Sequence, residues 1–206
     1  MEKNKLRLTY FGARGSCDKV RLLLAIAGLN YQEVIVTGRE FGRMSGEVEF
    51  GKLPLLEDGD LRLVHSCAIM RHLARKADLY GSDAREAALC DMWMEQCEEV
   101  QQALWKAEFI TQDVSDFRAE AMKSQFLQDY LIPEFTHMSK LMAKNDTMFL
   151  VGNKLTFADI ALFALLESVE REIPLAVASF PLLEFFHCSM KQAPRIKQFC
   201  GSGRRF

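Results

Sequence analysis

Leu6, Leu8 and Tyr10 alternate with Arg7 and Thr9 within residues 5–10, the two-residue period of a half-buried strand. Gly12-Ala13-Arg14-Gly15-Ser16 follows as a loop. Val20, Leu23, Leu24 and Ala27 then recur at helical spacing up to Gly28, where the helix is expected to stop. Residues 31–36, with β-branched Val34, Ile35 and Val36, predict a second strand. Strand, helix, strand in this order predicts a right-handed parallel crossover. Residues 37–49 contain three glycines and mixed charge and read as an irregular segment. Two apolar runs, residues 53–57 and 61–64, flank Asp58-Gly59. That pattern predicts a hairpin, because glycine accepts the positive φ of a tight turn. Pro54 heads the first of these strands, where a missing N–H costs least and where a cis bond is admissible. Ser66 opens a helix running to about Lys76.

Beyond Leu79-Tyr80-Gly81 no strand pattern recurs. Residues 84–111 form one long amphipathic helix. Residues 117–145 form a second helical span, with Pro133 predicting a kink. Thr156-Phe157-Ala158-Asp159 has the form of a capping box ahead of an apolar helix ending near Arg171. Pro181 suits the first turn of a helix over residues 182–190, and residues 192–200 read as a last short helix. The expected organisation is a small α/β domain over residues 1–79, followed by an all-helical domain over residues 83–206.

Composition narrows the classes of function. At 49% hydrophobic and 26% charged, with a formal charge of −2, the chain of 206 residues has an ordinary globular composition. Its charge gives no reason to expect nucleic acid or an anionic membrane as a partner. No apolar run approaches the ~20 residues of a membrane span. Met-Glu-Lys-Asn-Lys at the start lacks the apolar core of a signal peptide. The six cysteines (17, 67, 90, 97, 188 and 200) show no CxxC and no histidine at metal-ligand spacing. Cys17, Cys67, Cys90 and Cys97 fall in helical patterns, which predicts buried free thiols rather than disulfides. A cytoplasmic protein without a metal is expected.

Four motifs occur in order: Leu8-Thr9-Tyr10-Phe11…Arg14-Gly15, Phe50-Gly51-Lys52-Leu53-Pro54, His65-Ser66-Cys67-Ala68-Ile69, and Phe149-Leu150-Val151-Gly152-Asn153…Thr156-Phe157-Ala158-Asp159. Over nearly the whole chain these resemble the soluble glutathione transferases. The first two motifs are most similar to the sigma class, which includes glutathione-dependent prostaglandin D synthases. The resemblance implies an α/β plus all-α architecture, a thioredoxin-like N-terminal domain with a helical C-terminal domain. It also implies a homodimer, glutathione as co-substrate and an active site between the domains.

The residues carry a matching chemistry. A free thiol of pKa about 8.5 is mostly protonated at neutral pH, whereas the thiolate is the nucleophile. A phenol O–H directed at sulfur stabilises the thiolate, and about 1.4 kcal/mol of such stabilisation lowers the thiol pKa by one unit. The resemblance assigns this role to Tyr10; without it, a tyrosine at a strand end packs by its ring. Leu53 resembles the position whose backbone pairs with the cysteinyl part of glutathione, with Pro54 aiming that backbone at the ligand. Ser66, at a helix start, is either a simple N-cap or a seat for the γ-glutamyl carboxylate. His65 stands where the family usually has Gln. Lys52 is expected either as a cation near the glycyl carboxylate or as a solvated edge-strand charge. Phe41 and Ser45 replace a usual Trp and Lys at that same end, which weakens two contacts. Glu99, on one helical face with Glu95 and Glu98, resembles the acid that reaches the partner subunit's glutathione amine. Arg14, Ser16 and Trp105 are expected at the hydrophobic substrate pocket, Ser16 replacing an Arg common at that position. Phe109 and Phe206 are further aromatic candidates for the same pocket.

The function expected is conjugation of the glutathione thiol to small hydrophobic electrophiles, a detoxification chemistry. A glutathione-dependent prostaglandin isomerase and a non-catalytic scaffold or crystallin-like protein are the alternatives.

Overall fold

The computed structural model describes residues 6–112, 114–203 and 205. The chain divides into two compact units, Met1–Tyr80 with Gln192–Phe206, and Gly81–Lys191.

The first unit is built on a four-stranded sheet of order β2-β1-β3-β4. Strand β1 (Leu6–Tyr10) pairs in parallel with β2 (Tyr31–Ile35), and helix α1 (Asp18–Ala27) makes the crossover between them. Gly28 ends α1 in the left-handed conformation, φ 67°, a position that suits glycine because it has no Cβ. Strands β3 (Leu55–Asp58) and β4 (Leu61–Val64) form the hairpin, antiparallel to each other and to β1. Leu55 and Leu56 are both buried although successive strand residues face opposite sides, so both faces of the sheet are covered. On one face Leu55 packs with Val48, Val64, Phe41 and Met44. The deep core is supplied by Leu6, Leu8, Leu22, Leu23, Ile69 and Leu73, with α1 packed on α3 (Ser66–Lys76).

Residues 37–49 are not irregular. They contain α2 (Gly38–Met44) followed by short 3-10 turns. A capping box nucleates this helix. The Glu40 amide donates to Thr37 Oγ1 at 3.2 Å, and the Thr37 amide donates to the Glu40 carboxylate at 2.7 Å. Gly38 and Gly42 suggest a loop, but the two reciprocal bonds offset the helix propensity those glycines lose.

Helix α9 (Pro194–Gly201) belongs to the first unit because it packs on α1. The Arg195 guanidinium donates to the Ile26 carbonyl at the end of α1. Arg205 forms a buried two-pronged pair with Asp18 at the start of α1, with N–O distances of 3.0 and 2.7 Å. Sequence position alone groups this last helix with the preceding helical region; contacts group it with the sheet.

The second unit is helical: α4 (Ala84–Thr111), α5 (Asp116–Phe126), α6 (Ile132–Met142), α7 (Phe157–Glu172) and α8 (Pro181–Gln192). Cys90, Trp93, Met94, Cys97, Val100, Gln101 and Leu104 form the buried stripe of α4, which packs against α7. Helix α7 is buried on all sides from Phe157 to Leu166. A π-helical turn, Leu127–Leu131, joins α5 to α6. Pro133 lacks an N–H and its ring crowds the carbonyl four residues back, which accounts for a widened turn immediately before it.

Candidate functional site

The hairpin register places the sequence motifs along one end of the sheet. Thr9 pairs with Leu55, and Leu55 pairs with Val64. One further step along each ladder brings Tyr10 opposite Pro54 and Pro54 opposite His65. The three segments quoted above for their chemistry therefore end side by side.

Tyr10 is half-buried at the end of β1. Its hydroxyl lies 3.2 Å from Ser16 Oγ. Gly15 runs so close that a Cβ added there would sit 2.5 Å from the Tyr10 oxygen, and its φ of +43° is itself a glycine conformation. The ring stands edge-on to Phe11, which stands edge-on to Phe41. Beneath the loop lies Arg21, fully buried. It is paired with Glu33, and it donates to the Ala13 carbonyl at 2.6 Å and to the Phe11 carbonyl at 3.2 Å. Its guanidinium carbon is 5.6 Å from the centre of the Tyr10 ring. Sequence reading missed Arg21. The available signal was a lone cation inside the apolar run from Val20 to Leu24, where no helix face is left to carry it to water.

The Leu53–Pro54 peptide is cis. Leu53 is half-buried and Pro54 buried, whereas Lys52 is exposed on extended backbone. Ser66 is buried and is the first helical residue of α3; the cap position is His65. His65 is exposed, holds φ 67° and ψ 113°, and makes no side-chain cap bond. A non-glycine residue in that region is strained, and such strain concentrates at functional positions. The N-cap reading of Ser66 is thus corrected by one residue, because the chain turns into the helix at His65. Lys19 Nζ lies 3.8 Å from Cys67 Sγ, tying α1 to the start of α3.

Phe41 is half-buried on α2 against Val48, Leu55 and Val64. Ser45 starts the following 3-10 turn, where its hydroxyl donates to the Gly42 carbonyl at 3.3 Å. Arg14 is half-buried in the loop after β1. Glu99, exposed, and Trp105, half-buried, both lie on α4 in the second unit, and the first unit does not contain them. Phe109 on the same helix is 73% exposed, and Phe206 lies outside the described residues.

The cysteines divide by environment. All six are free. Burial pushes the Cys17 thiol up to about 12 and the Cys90 thiol up to about 11, so neither is a nucleophile at neutral pH. Among the described residues no group of three or more His, Cys, Asp or Glu is arranged to hold a metal ion.

A thioredoxin-like unit followed by an all-helical unit is the architecture of glutathione S-transferases. Residues 6–75 match the N-terminal domain of glutathione S-transferase, and residues 99–203 match its C-terminal domain. The chain is 33% identical over 196 residues to a glutathione S-transferase of Dirofilaria immitis, covering 94% of this chain and 91% of that protein. The solved structure of a Pi-class glutathione S-transferase from Onchocerca volvulus superposes with a TM-score of 0.84 at 30% identity, covering 96% and 93% of the two chains. That of monomeric Na-GST-3 from the hookworm Necator americanus superposes with a TM-score of 0.88 at 25% identity, covering 96% and 97%. The chain belongs to the glutathione S-transferase family. It is a transferase, and glutathione is its co-substrate.

Proposed function

We propose that the enzyme conjugates glutathione to small hydrophobic electrophiles, with the Tyr10 hydroxyl stabilising the thiolate. The observation that carries this reading is the alignment of Tyr10, Leu53-Pro54 and His65-Ser66 at one end of the sheet. Each segment offers a different group to a tripeptide. The Leu53 backbone presents main-chain partners for the cysteinyl residue. The start of α3 at Ser66 presents amide N–H groups and a hydroxyl for the γ-glutamyl carboxylate. Lys52 offers a cation for the glycyl carboxylate. Tyr10 meets the sulfur, lowering the thiol pKa by donating a hydrogen bond to the charged form.

The Phe41 side chain supplies no N–H and that of Ser45 no charge, so the glycyl end is held by fewer contacts, which favours a raised KM for glutathione. Arg14 and Ser16 are proposed to face the electrophile, Trp105 to serve as an aromatic contact for hydrophobic substrates, and Glu99 to reach the amine of glutathione bound to a second copy. A homodimer is part of the proposal. Phe50 leaves 82% of its surface in water, and the helical unit has an apolar recess of about 120 Å³ lined by Met92, Trp93, Met138 and Leu141. These are features a second copy would cover. Six free thiols favour the reducing cytoplasm, where removal of electrophiles is the natural role. A sigma-like class is proposed on the Leu-Thr-Tyr-Phe and Phe-Gly-Lys-Leu-Pro segments, and prostaglandin isomerisation would draw on the same thiolate.

The test is the initial rate with glutathione and an aryl halide at neutral pH. The wild type turns over, and Tyr10→Phe is expected to fall by at least about tenfold in kcat, the cost of one lost unit of thiol acidification. Equal rates for the two proteins refute the role of Tyr10. Glutathione binding without turnover refutes conjugation.

A further inference from the structure

We propose that Ser16 positions the proton of Tyr10, so that two hydroxyls in series, Ser16 to Tyr10 to sulfur, stabilise the glutathione thiolate. The inference rests on the reading of Tyr10 given above and deepens it. The starting point is the 3.2 Å separation of the Ser16 and Tyr10 hydroxyl oxygens, in which either atom is able to donate. A phenol has one proton. Without glutathione, that proton is free to satisfy Ser16. Once a thiolate lies against the ring hydroxyl, the Tyr10 proton is drawn to sulfur, and the phenol oxygen is left as an acceptor. Ser16 Oγ is already in place to donate to it. A hydroxyl that accepts a hydrogen bond becomes a stronger donor, so the second bond strengthens the first. No bond to carbon or sulfur is made or broken in this step; the proton on Tyr10 remains on Tyr10 and only its direction is fixed.

The loop is built to hold the two oxygens together. Gly15 has no Cβ, which allows the chain to pass against the phenol oxygen. Arg21 grips the loop through the Phe11 and Ala13 carbonyls. The buried Arg21–Glu33 pair lies below the Tyr10 ring, Arg14 is on the same loop, and burial pushes the Cys17 thiol, one residue after Ser16, up to about 12, so it stays protonated near neutral pH. The variants compared differ only at residues 10 and 16 and leave these groups in place, so a shift in the bound thiol's titration reports on the hydroxyls.

The experiment is a pH titration of the ultraviolet thiolate absorbance of bound glutathione, with the dissociation constant measured alongside. Ser16→Ala is expected to raise the bound thiol pKa by about half a unit to one unit, with affinity for the protonated thiol, measured below that pKa, changed by less than about twofold. Ser16→Thr, which keeps the hydroxyl, restores the wild-type value. Ser16→Cys, a weak donor of similar size, lies between. In a Tyr10→Phe background, Ser16→Ala adds no further shift. The proposal is overturned if Ser16→Ala leaves the pKa in place while Tyr10→Phe raises it, a result that spares the role of Tyr10. It is also overturned if Ser16→Ala shifts the pKa equally with and without the Tyr10 hydroxyl, which would mean that Ser16 acts on sulfur directly. An unmoved pKa in Tyr10→Phe alone removes the underlying reading instead.

Discussion

Gly15 shows how one backbone position governs the chemistry beside it. Its φ of +43° and the 2.5 Å that would separate an added Cβ from the Tyr10 oxygen make two independent demands for glycine. In Gly15→Ala the phenol must move, because the obstructing atom is the hydroxyl oxygen proposed to stabilise the thiolate. We expect kcat/KM to fall by more than about tenfold while stability drops by only about 1–2 kcal/mol. Steady-state kinetics and a urea melt separate the two effects, and a variant within twofold of wild-type activity would show that the close approach is dispensable. His65, one of four described non-glycine residues at positive φ, adjoins the proposed site as well. Both positions were legible as motif members. Neither conformation was, because φ at a non-repeating position is set by the elements on either side of it.

At the scale of elements, α7 organises the helical unit, and its start depends on Asp159. That carboxylate accepts from the Thr156 amide at 2.7 Å, the Thr156 hydroxyl at 2.8 Å and the Leu150 amide at 2.8 Å. The capping box was readable from Thr-Phe-Ala-Asp; the third bond, which ties the preceding turn to the helix, was not. Burial pushes the Asp159 carboxyl up to about 6, against the pull of its donors. In the unfolded chain it ionises near its ordinary 3.8, whereas in the fold it keeps its proton until about 6. Its stabilising contribution is therefore complete below 3.8 and is lost as pH rises through 6. The unfolding free energy of wild type minus that of Asp159→Asn should fall by at least about 1 kcal/mol between about pH 4 and about pH 7. Chemical denaturation across that range checks it, and a flat or rising difference contradicts it. Helix α2 teaches the opposite lesson about reading elements. Its glycines hid a capping box, and the segment is ordered by the Thr37–Glu40 pair and by burial of Phe41 and Met44 edges rather than by propensity.

On the scale of the whole molecule, the last described residue pairs with the start of α1. Arg205 and Asp18 lie 187 positions apart and form a buried ion pair. Removing one partner strands the other charge, so Arg205→Ala should cost about 2–4 kcal/mol in a urea melt. A loss below about 0.5 kcal/mol would show that the pair only balances its own desolvation. Association is the second global property. Phe50→Ser should shift the protein toward monomer in sedimentation velocity if the exposed ring is covered by a second copy. An unchanged dimer, or a wild type already monomeric, rejects that surface. Among the described residues no helix is long and apolar enough to cross a membrane.

The sequence by itself determined most of the elements and their order, α2 excepted, because hydrophobic period, Gly28, the Asp58-Gly59 turn and the proline positions act over a few residues. It also determined the family, through four short motifs that local geometry keeps together. Tertiary structure decided what local signals do not encode. It seated α9 and Arg205 on α1, buried Arg21 beneath the Tyr10 loop, strained His65, and set the Ser16 hydroxyl 3.2 Å from the phenol. Each of these depends on groups that meet only after the sheet has formed. Their energies come from desolvation and hydrogen bonding between segments rather than from the preference of any one of them.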